Sequence, residues 1–310
     1  MARRLIFGPV LIALLIGLMW LDERLAGTPV GAWGFLVSDI NNKVLPGVVL
    51  LVLGLFACAR GGYELARLFR AMNIEASSKS LSISAAAGVL AGSLTIGREL
   101  PGFVGPHAGA ILSTSAILAV FLSMLAYIRH KDPKGAATAV AAAGFALLYI
   151  GLTLAFLIAI RREFSVWAMV AVIFTVKACD SGAYFTGTAI GKHKLIPWIS
   201  PGKTWEGLIG GLITSALFGI GFVMLAGQSG QYAPKNLNWI DGVILGTILG
   251  LVGQAGDLSA SVIKRDAGVK DAGRILPGFG GLIDMLDSLL IAAPVAYWYL
   301  ELRVVAQTGT

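Results

Sequence analysis

Between Gly253 and Asp287 the chain reads GQAGDLSASVIKRDAGVKDAGRILPGFGGLIDMLD, its densest charged stretch. Asp257, Lys264, Arg265, Asp266, Lys270, Asp271, Arg274, Asp284 and Asp287 crowd between two apolar runs, Ile240 to Val252 and Leu286 to Tyr299. Charges beside membrane-type segments are costly unless they pair, bind ions or meet a charged ligand. Topology calls for Lys and Arg in such a loop, but not for five aspartates, so the stretch reads as a site for a metal ion and phosphate groups. Asp284 and Asp287 stand at i and i+3, on one face of a helix, just after Gly280 and Gly281. The helix dipole stabilises carboxylates there, so capping is the plainer role for either of them. Asp257 falls at the exit of the preceding apolar run. Mg²⁺ is normally held by one or two carboxylates, with water and substrate phosphate completing its shell. Asp257, Asp284 and Asp287 are therefore the expected metal ligands. Lys264, Arg265 and Lys270 are expected to neutralise phosphate charge.

A second cluster lies upstream. Asp180-Ser181-Gly182-Ala183-Tyr184 precedes Ser200-Pro201-Gly202-Lys203-Thr204-Trp205-Glu206-Gly207. The latter reads as a Pro-containing turn that opens a helix, and backbone amides at a helix start beside a lysine favour phosphate. Gly202-Lys203-Thr204 has the tail of a phosphate-binding P-loop, but the upstream glycine of that motif is missing, which excludes it. Taken alone, the segment reads as a basic juxtamembrane loop with a capped helix.

Together the two clusters resemble a family. Ser261-x-x-Lys264-Arg265, Lys270-Asp271-x-Gly273 and Leu276-Pro277-Gly278-x-Gly280-Gly281-Leu282-x-Asp284-x-Leu286-Asp287 look like the signature of phosphatidate cytidylyltransferases. Asp180 to Tyr184 and Ser200 to Gly207 look like that family's second block. The specific resemblance runs from Asp180 to Asp287, about a third of the chain. Phe279 stands where the family usually has His, and Met285 where it has Arg. These departures remove an imidazole and a guanidinium while leaving the carboxylates in place.

The resemblance implies that CTP and phosphatidate give CDP-diacylglycerol and pyrophosphate, with Mg²⁺ and a second cation such as K⁺ as cofactors. It implies catalytic roles for Lys264, Arg265 and Asp284. Substrate contacts would come from Ser200, Lys203, Thr204, Glu206, Ser261, Lys270 and Asp271. It also implies a homodimer. The nucleophile would be an oxygen of the lipid phosphate, which is already anionic at neutral pH because its second pKa is near about 6. No general base is then needed, and catalysis is mainly charge neutralisation and in-line positioning. Three alternatives stay open at this stage: transfer to another lipid phosphate, a non-catalytic relative, and a transporter. Charges gathered at loop boundaries on one expected side favour an interfacial enzyme over the transporter.

Such a site has to be carried by apolar helices. The chain has 310 residues, 56% of them hydrophobic and 13% charged, with a mean hydropathy of +0.80. Soluble domains hold about 25% charged residues, so this composition belongs to a polytopic membrane protein. Forty glycines fit close helix packing in lipid. The net charge of +7 fits basic cytoplasmic loops and anionic head groups rather than nucleic acid. Two cysteines and three scattered histidines form no metal-binding pattern.

Nine apolar segments have the length of spans: Leu5 to Leu21, Val44 to Ala59, Leu81 to Ile96, Ala108 to Ile128, Ala136 to Ile160, Ser165 to Ala178, Leu208 to Ala226, Ile240 to Gln254 and Leu282 to Leu300. The first ends without a small-x-small cleavage site and reads as a retained span. Lys and Arg concentrate at the N-terminus and in the even-numbered loops, which places these in the cytoplasm. The expected fold is an all-α integral membrane protein with about nine transmembrane helices and a polar cytoplasmic-side cleft. Residues 1–178 would form N-terminal helices and 179–310 a catalytic region, in a bacterial inner membrane with the active site facing the cytoplasm. Gly62 to Arg70 has amphipathic spacing and reads either as an interfacial helix or as an extension of the second span.

Overall fold

In the computed structural model of the chain, residues 2–29, 44–97, 104–128, 133–229, 237–273, 275 and 280–308 are described, without the side chains of 2–12, 226–229 and 304–308. Phe279 and the middle of the signature loop (274 and 276–279) lie outside the described residues.

Helices dominate, because only closed hydrogen-bonding structures satisfy backbone groups in lipid. In order they are α1 (Ala2–Leu25), α2 (Val48–Ala71), α3 (Ser78–Thr95), α4 (Ala108–Tyr127), α5 (Ala136–Ala146), α6 (Thr153–Glu163), α7 (Val166–Ile190), α8 (Trp205–Ser229), α9 (Trp239–Asp266) and α10 (Leu282–Thr308). A π turn, Leu147–Leu152, joins α5 to α6 without a break. Seven helical stretches are long and apolar enough to cross a membrane: Val48–Ala71, Gly105–Tyr127, Ala136–Glu163, Val166–Ile190, Trp205–Leu225, Trp239–Asp266 and Leu282–Arg303. The protein is thus an integral membrane protein built from α-helices. The first and third expected spans are also helical, as α1 and α3, but do not belong to those seven. Ser84 and Ser93 are buried polar residues within the 18-residue α3.

Helix α2 continues unbroken through Gly62 to Ala71, so the amphipathic stretch is an extension of the second span. Among the described residues, a two-stranded departure from helix sits between α7 and α8. Strands β1 (Lys194–Ile196) and β2 (Ser200–Thr204) pair antiparallel, with Lys194 opposite Thr204 and Ile196 opposite Ser200. Pro201 is tolerated there because a two-stranded ribbon is all edge. The turn expected around Gly202 is therefore a strand, and the helix begins at Trp205 behind Thr204, whose Oγ1 accepts the Gly207 N–H at 3.1 Å.

The chain forms two compact units. One comprises Met1–Glu163 with Ala267–Met285, the other Phe164–Asp266 with Leu286–Thr310. In the first, α3 packs on α2, α4 and the π turn. Backbones meet there: a Cβ on Gly88 would strike the Leu147 carbonyl, and one on Gly151 the Ala85 carbonyl. In the second, α8 lies between α7 and α9. A Cβ on Gly246 of α9 would run into the Ser215 carbonyl and stand 2.8 Å from the Ala216 Cα of α8. Small residues permit this approach in lipid, where van der Waals packing drives association. Gly246→Val should therefore lower the thermal melting midpoint of the detergent-solubilised protein, through a loss of about 1–3 kcal/mol from overpacking.

Candidate active site

The second unit collects a polar ring from four elements. Helix α9 contributes a stripe, Gln254, Asp257, Ser261 and Lys264, at spacings of three, four and three residues that share one helix face. Helix α7 adds Lys177 and Asp180 one turn apart, β2 adds Lys203, and α10 adds Asp287 and Ser288. The contacts run continuously. Lys177 Nζ donates to Ser288 Oγ at 2.7 Å and lies 3.3 Å from Asp180 Oδ2. Gln254 Nε2 donates to Asp180 Oδ1 at 3.0 Å, while its Oε1 accepts from Lys203 Nζ at 2.8 Å. Lys203 Nζ is also 2.7 Å from Asp257 Oδ2. Asp257 and Asp287 lie close enough for their carboxyl charges to act on each other. Asp287 accepts the Ser288 N–H at 2.7 Å, and Lys264 Nζ stands 3.9 Å from its Oδ2.

One edge of this ring is open and the other closed. Asp287 and Lys264 are 5% and 7% exposed, whereas the side chains of Lys177 and Asp180 are 39% and 32% exposed. Three ammoniums (Lys177, Lys203, Lys264) face three carboxylates (Asp180, Asp257, Asp287), so the formal charges cancel. That balance keeps buried charges tolerable, since removing one partner of such a pair costs far more than the pair itself. It also means that a polyphosphate entering the ring meets no net attraction unless it carries its own cation.

The remaining expected residues have other partners. Arg265 Nε donates to the Ile199 carbonyl at 3.0 Å and so holds the hairpin turn. Glu206 lies 2.6 Å from His193 Nδ1 and accepts the His193 N–H at 3.2 Å. It ties the approach to β1 to the start of α8. Thr204 caps α8, and Ser200 pairs with Ile196 in the hairpin. Ser261 is half-buried on the α9 stripe, and Lys270 and Asp271 are exposed.

Asp284 belongs to the first unit. Its Oδ2 accepts the N–H groups of Ala272 and Gly281, both at 2.8 Å. From the third position of α10 it reaches back to the residue before the helix, as a capping-box acid does. Among the described residues, no group of three or more His, Cys, Asp or Glu side chains is arranged to hold a metal ion. The carboxylates that do meet are Asp257 and Asp287, a pair that fits Mg²⁺ bound through two protein oxygens with phosphates and water completing its shell.

Sequence reasoning missed Lys177, Gln254 and Ser288. Lys177 lies within an apolar helix, where an isolated ionisable side chain is itself a functional signal. Gln254 and Ser288 carry no signal beyond their helical spacing from Asp257 and Asp284.

A phosphatidate cytidylyltransferase of Haemophilus influenzae is 43% identical over 129 residues, which are 41% of this chain and 44% of the relative. An uncharacterized Escherichia coli protein, YnbB, is 41% identical over 122 residues, 38% of its length. A phosphatidate cytidylyltransferase of Staphylococcus aureus is 37% identical over 199 residues, covering 63% of this chain and 72% of the relative. The matches thus span less than half of the first two relatives and nearly three quarters of the third. The sequence model of the cytidylyltransferase family extends over residues 31–303, and with that breadth of agreement the chain belongs to the cytidylyltransferase family.

Proposed function

We propose that the protein transfers CMP from CTP to phosphatidate, giving CDP-diacylglycerol and pyrophosphate, at the cytoplasmic face of a bacterial inner membrane. The observation that carries this reading is the charge-balanced ring of three lysines and three aspartates that β2 and three membrane-length helices bring together. Such a ring suits a reaction between two polyanions, one of them anchored in lipid.

The chemistry follows from the groups in the ring. An oxygen of the lipid phosphate attacks the α-phosphorus of CTP, the bond from that phosphorus to the β-phosphate oxygen breaks, and pyrophosphate leaves with the electron pair. No proton has to be removed from the nucleophile. Lys203 and Lys177, on the more open edge, bind and orient incoming phosphates. Lys264, deeper in the ring, stands 3.9 Å from Asp287 Oδ2 and sets a positive charge beside it. Gln254 bridges Asp180 to Lys203 and fixes where that ammonium points. Asp257 and Asp287 would hold Mg²⁺, which supplies positive charge against the phosphates and the leaving group. Asp284 organises the loop that leads into α10. The hairpin delivers Lys203, and Arg265 secures its turn. The acyl chains stay in the bilayer throughout, because only the head group has to reach the ring.

The test uses the purified full chain in lipid nanodiscs with labelled CTP. Label should enter lipid and pyrophosphate should appear in equal amounts, only when both phosphatidate and Mg²⁺ are present. Addition of EDTA should stop both. Pyrophosphate release that ignores phosphatidate, or turnover undiminished by EDTA, would overturn the reading.

A further inference from the structure

Helix α2 carries a carboxylate for which the reaction above has no use. Glu64 is 1% exposed, and Arg60, one turn earlier on the helix, lies 3.7 Å from its Oε1. Glu64 accepts two successive N–H groups from the first turn of α10, Leu282 to Oε1 and Ile283 to Oε2, each at 3.0 Å. These amides belong to the four at any helix start that have no partner inside the helix, and the dipole favours an anion beside them. One turn along α2, Arg67 Nη2 donates to the Ala272 carbonyl at 2.6 Å. The two α2 side chains thus grip both limbs of the signature loop, Arg67 on entry and Glu64 on exit. Asp284 closes it from within, through Ala272 N and Gly281 N.

The same carboxylate explains two glycines of the signature. A Cβ on Gly273 would collide with Glu64 Oε1, and one on Gly281 would stand 2.6 Å from Oε2. At Gly281 the Gly273 backbone N would stand at 2.5 Å as well, so glycine at both positions lets the two limbs and the Glu64 carboxylate meet.

We propose that Glu64 is a positioning residue for the transfer reaction. By capping α10 across 218 residues of sequence, it fixes the first turn of α10 against α2, and with it the start of the helix whose next turn carries Asp287. The inference rests on the proposed function and deepens it.

The first unit supplies a matched control. Asp22, also 1% exposed, accepts Gly47 N and Val49 N at 3.0 Å and so caps the start of α2. The 16 residues from Val48 to Glu64 put that cap about 24 Å away along the helix axis. In nanodiscs, Glu64→Gln should lower kcat about 10- to 100-fold, the range typical of a lost supporting hydrogen bond, with KM for CTP held within about twofold. Hydrogen exchange at residues 281–285 should accelerate. Asp22→Asn should lower the melting midpoint as much or more while leaving kcat of the folded protein unchanged. If Glu64→Gln does not fold, Arg67→Gln, at an exposed position, should show a smaller loss in kcat of the same kind. Equal kcat losses in the Glu64 and Asp22 variants, or wild-type kcat in both α2 variants, would overturn the proposal. An inactive wild-type protein would instead sink the proposed function, and the exchange measurement would still decide whether Glu64 holds the loop.

Discussion

Asp287→Asn should leave a folded protein with transfer activity reduced about 10³-fold or more, equivalent to about 4 kcal/mol of transition-state stabilisation. Asparagine keeps the shape of the side chain and an oxygen to accept the Ser288 N–H. What it removes is one of two adjoining negative charges, and two facing carboxylates in a largely buried setting repel unless a cation lies between them. The melting midpoint should therefore stay within a few degrees of wild type, or rise, with relief of that repulsion set against a weaker counter-charge for Lys264. Loss of function without loss of stability marks a group held in place for its chemistry. Asp257→Asn should behave alike, and for both variants excess Mg²⁺ should restore little. Near-normal turnover at saturating Mg²⁺ in either would remove the pair from the metal site.

Much of this was legible in the sequence because it is local. Spans announce themselves by length and apolarity. The α9 stripe of Gln254, Asp257, Ser261 and Lys264 is less legible: apolarity fades near Gln254, where the expected span ends, but the helix continues to Asp266 and turns that spacing into a face. Lys203 stood out in the 200–207 segment as a lysine beside a helix start, though the strand that carries it did not. A five-residue segment with Ser, Pro and Gly has weak β-propensity, and pairing with Lys194–Ile196 decided its conformation. Asp284 shows the opposite limit. A carboxylate in the first turn of a helix can bind a metal or cap the backbone, and spacing is the same for both. The capping contacts to Ala272 N and Gly281 N come from backbone groups that the spacing does not reveal. Glu64 was hidden for a different reason: its partners are backbone amides more than two hundred residues away, and backbone amides have no residue type to read.

Lys203→Ala should lower kcat/KM for CTP about 10²-fold, and the double-mutant cycle with Asp257 shows why. Two roles fit the 2.7 Å contact between Lys203 and Asp257. In one, the ammonium only neutralises the carboxylate; in the other, it also grips a substrate phosphate. If neutralisation were its whole task, Lys203→Ala would add nothing once Asp257 is already Asn, and the double variant would match Asp257→Asn alone. The geometry argues for more. Lys203 is held by a neutral amide oxygen, Gln254 Oε1, as well as by Asp257, so its position survives loss of the carboxylate charge. An ammonium kept at its post by a neutral partner stays available to an anion. The double variant should therefore fall about tenfold or more below Asp257→Asn, and the shortfall measures the phosphate contact apart from the ion pair. Lys203→Arg should not rescue it, because a planar guanidinium cannot donate to Gln254 and Asp257 from the single point that an ammonium occupies. A double variant no worse than Asp257→Asn would return Lys203 to the role of counter-ion and leave phosphate binding to Lys177.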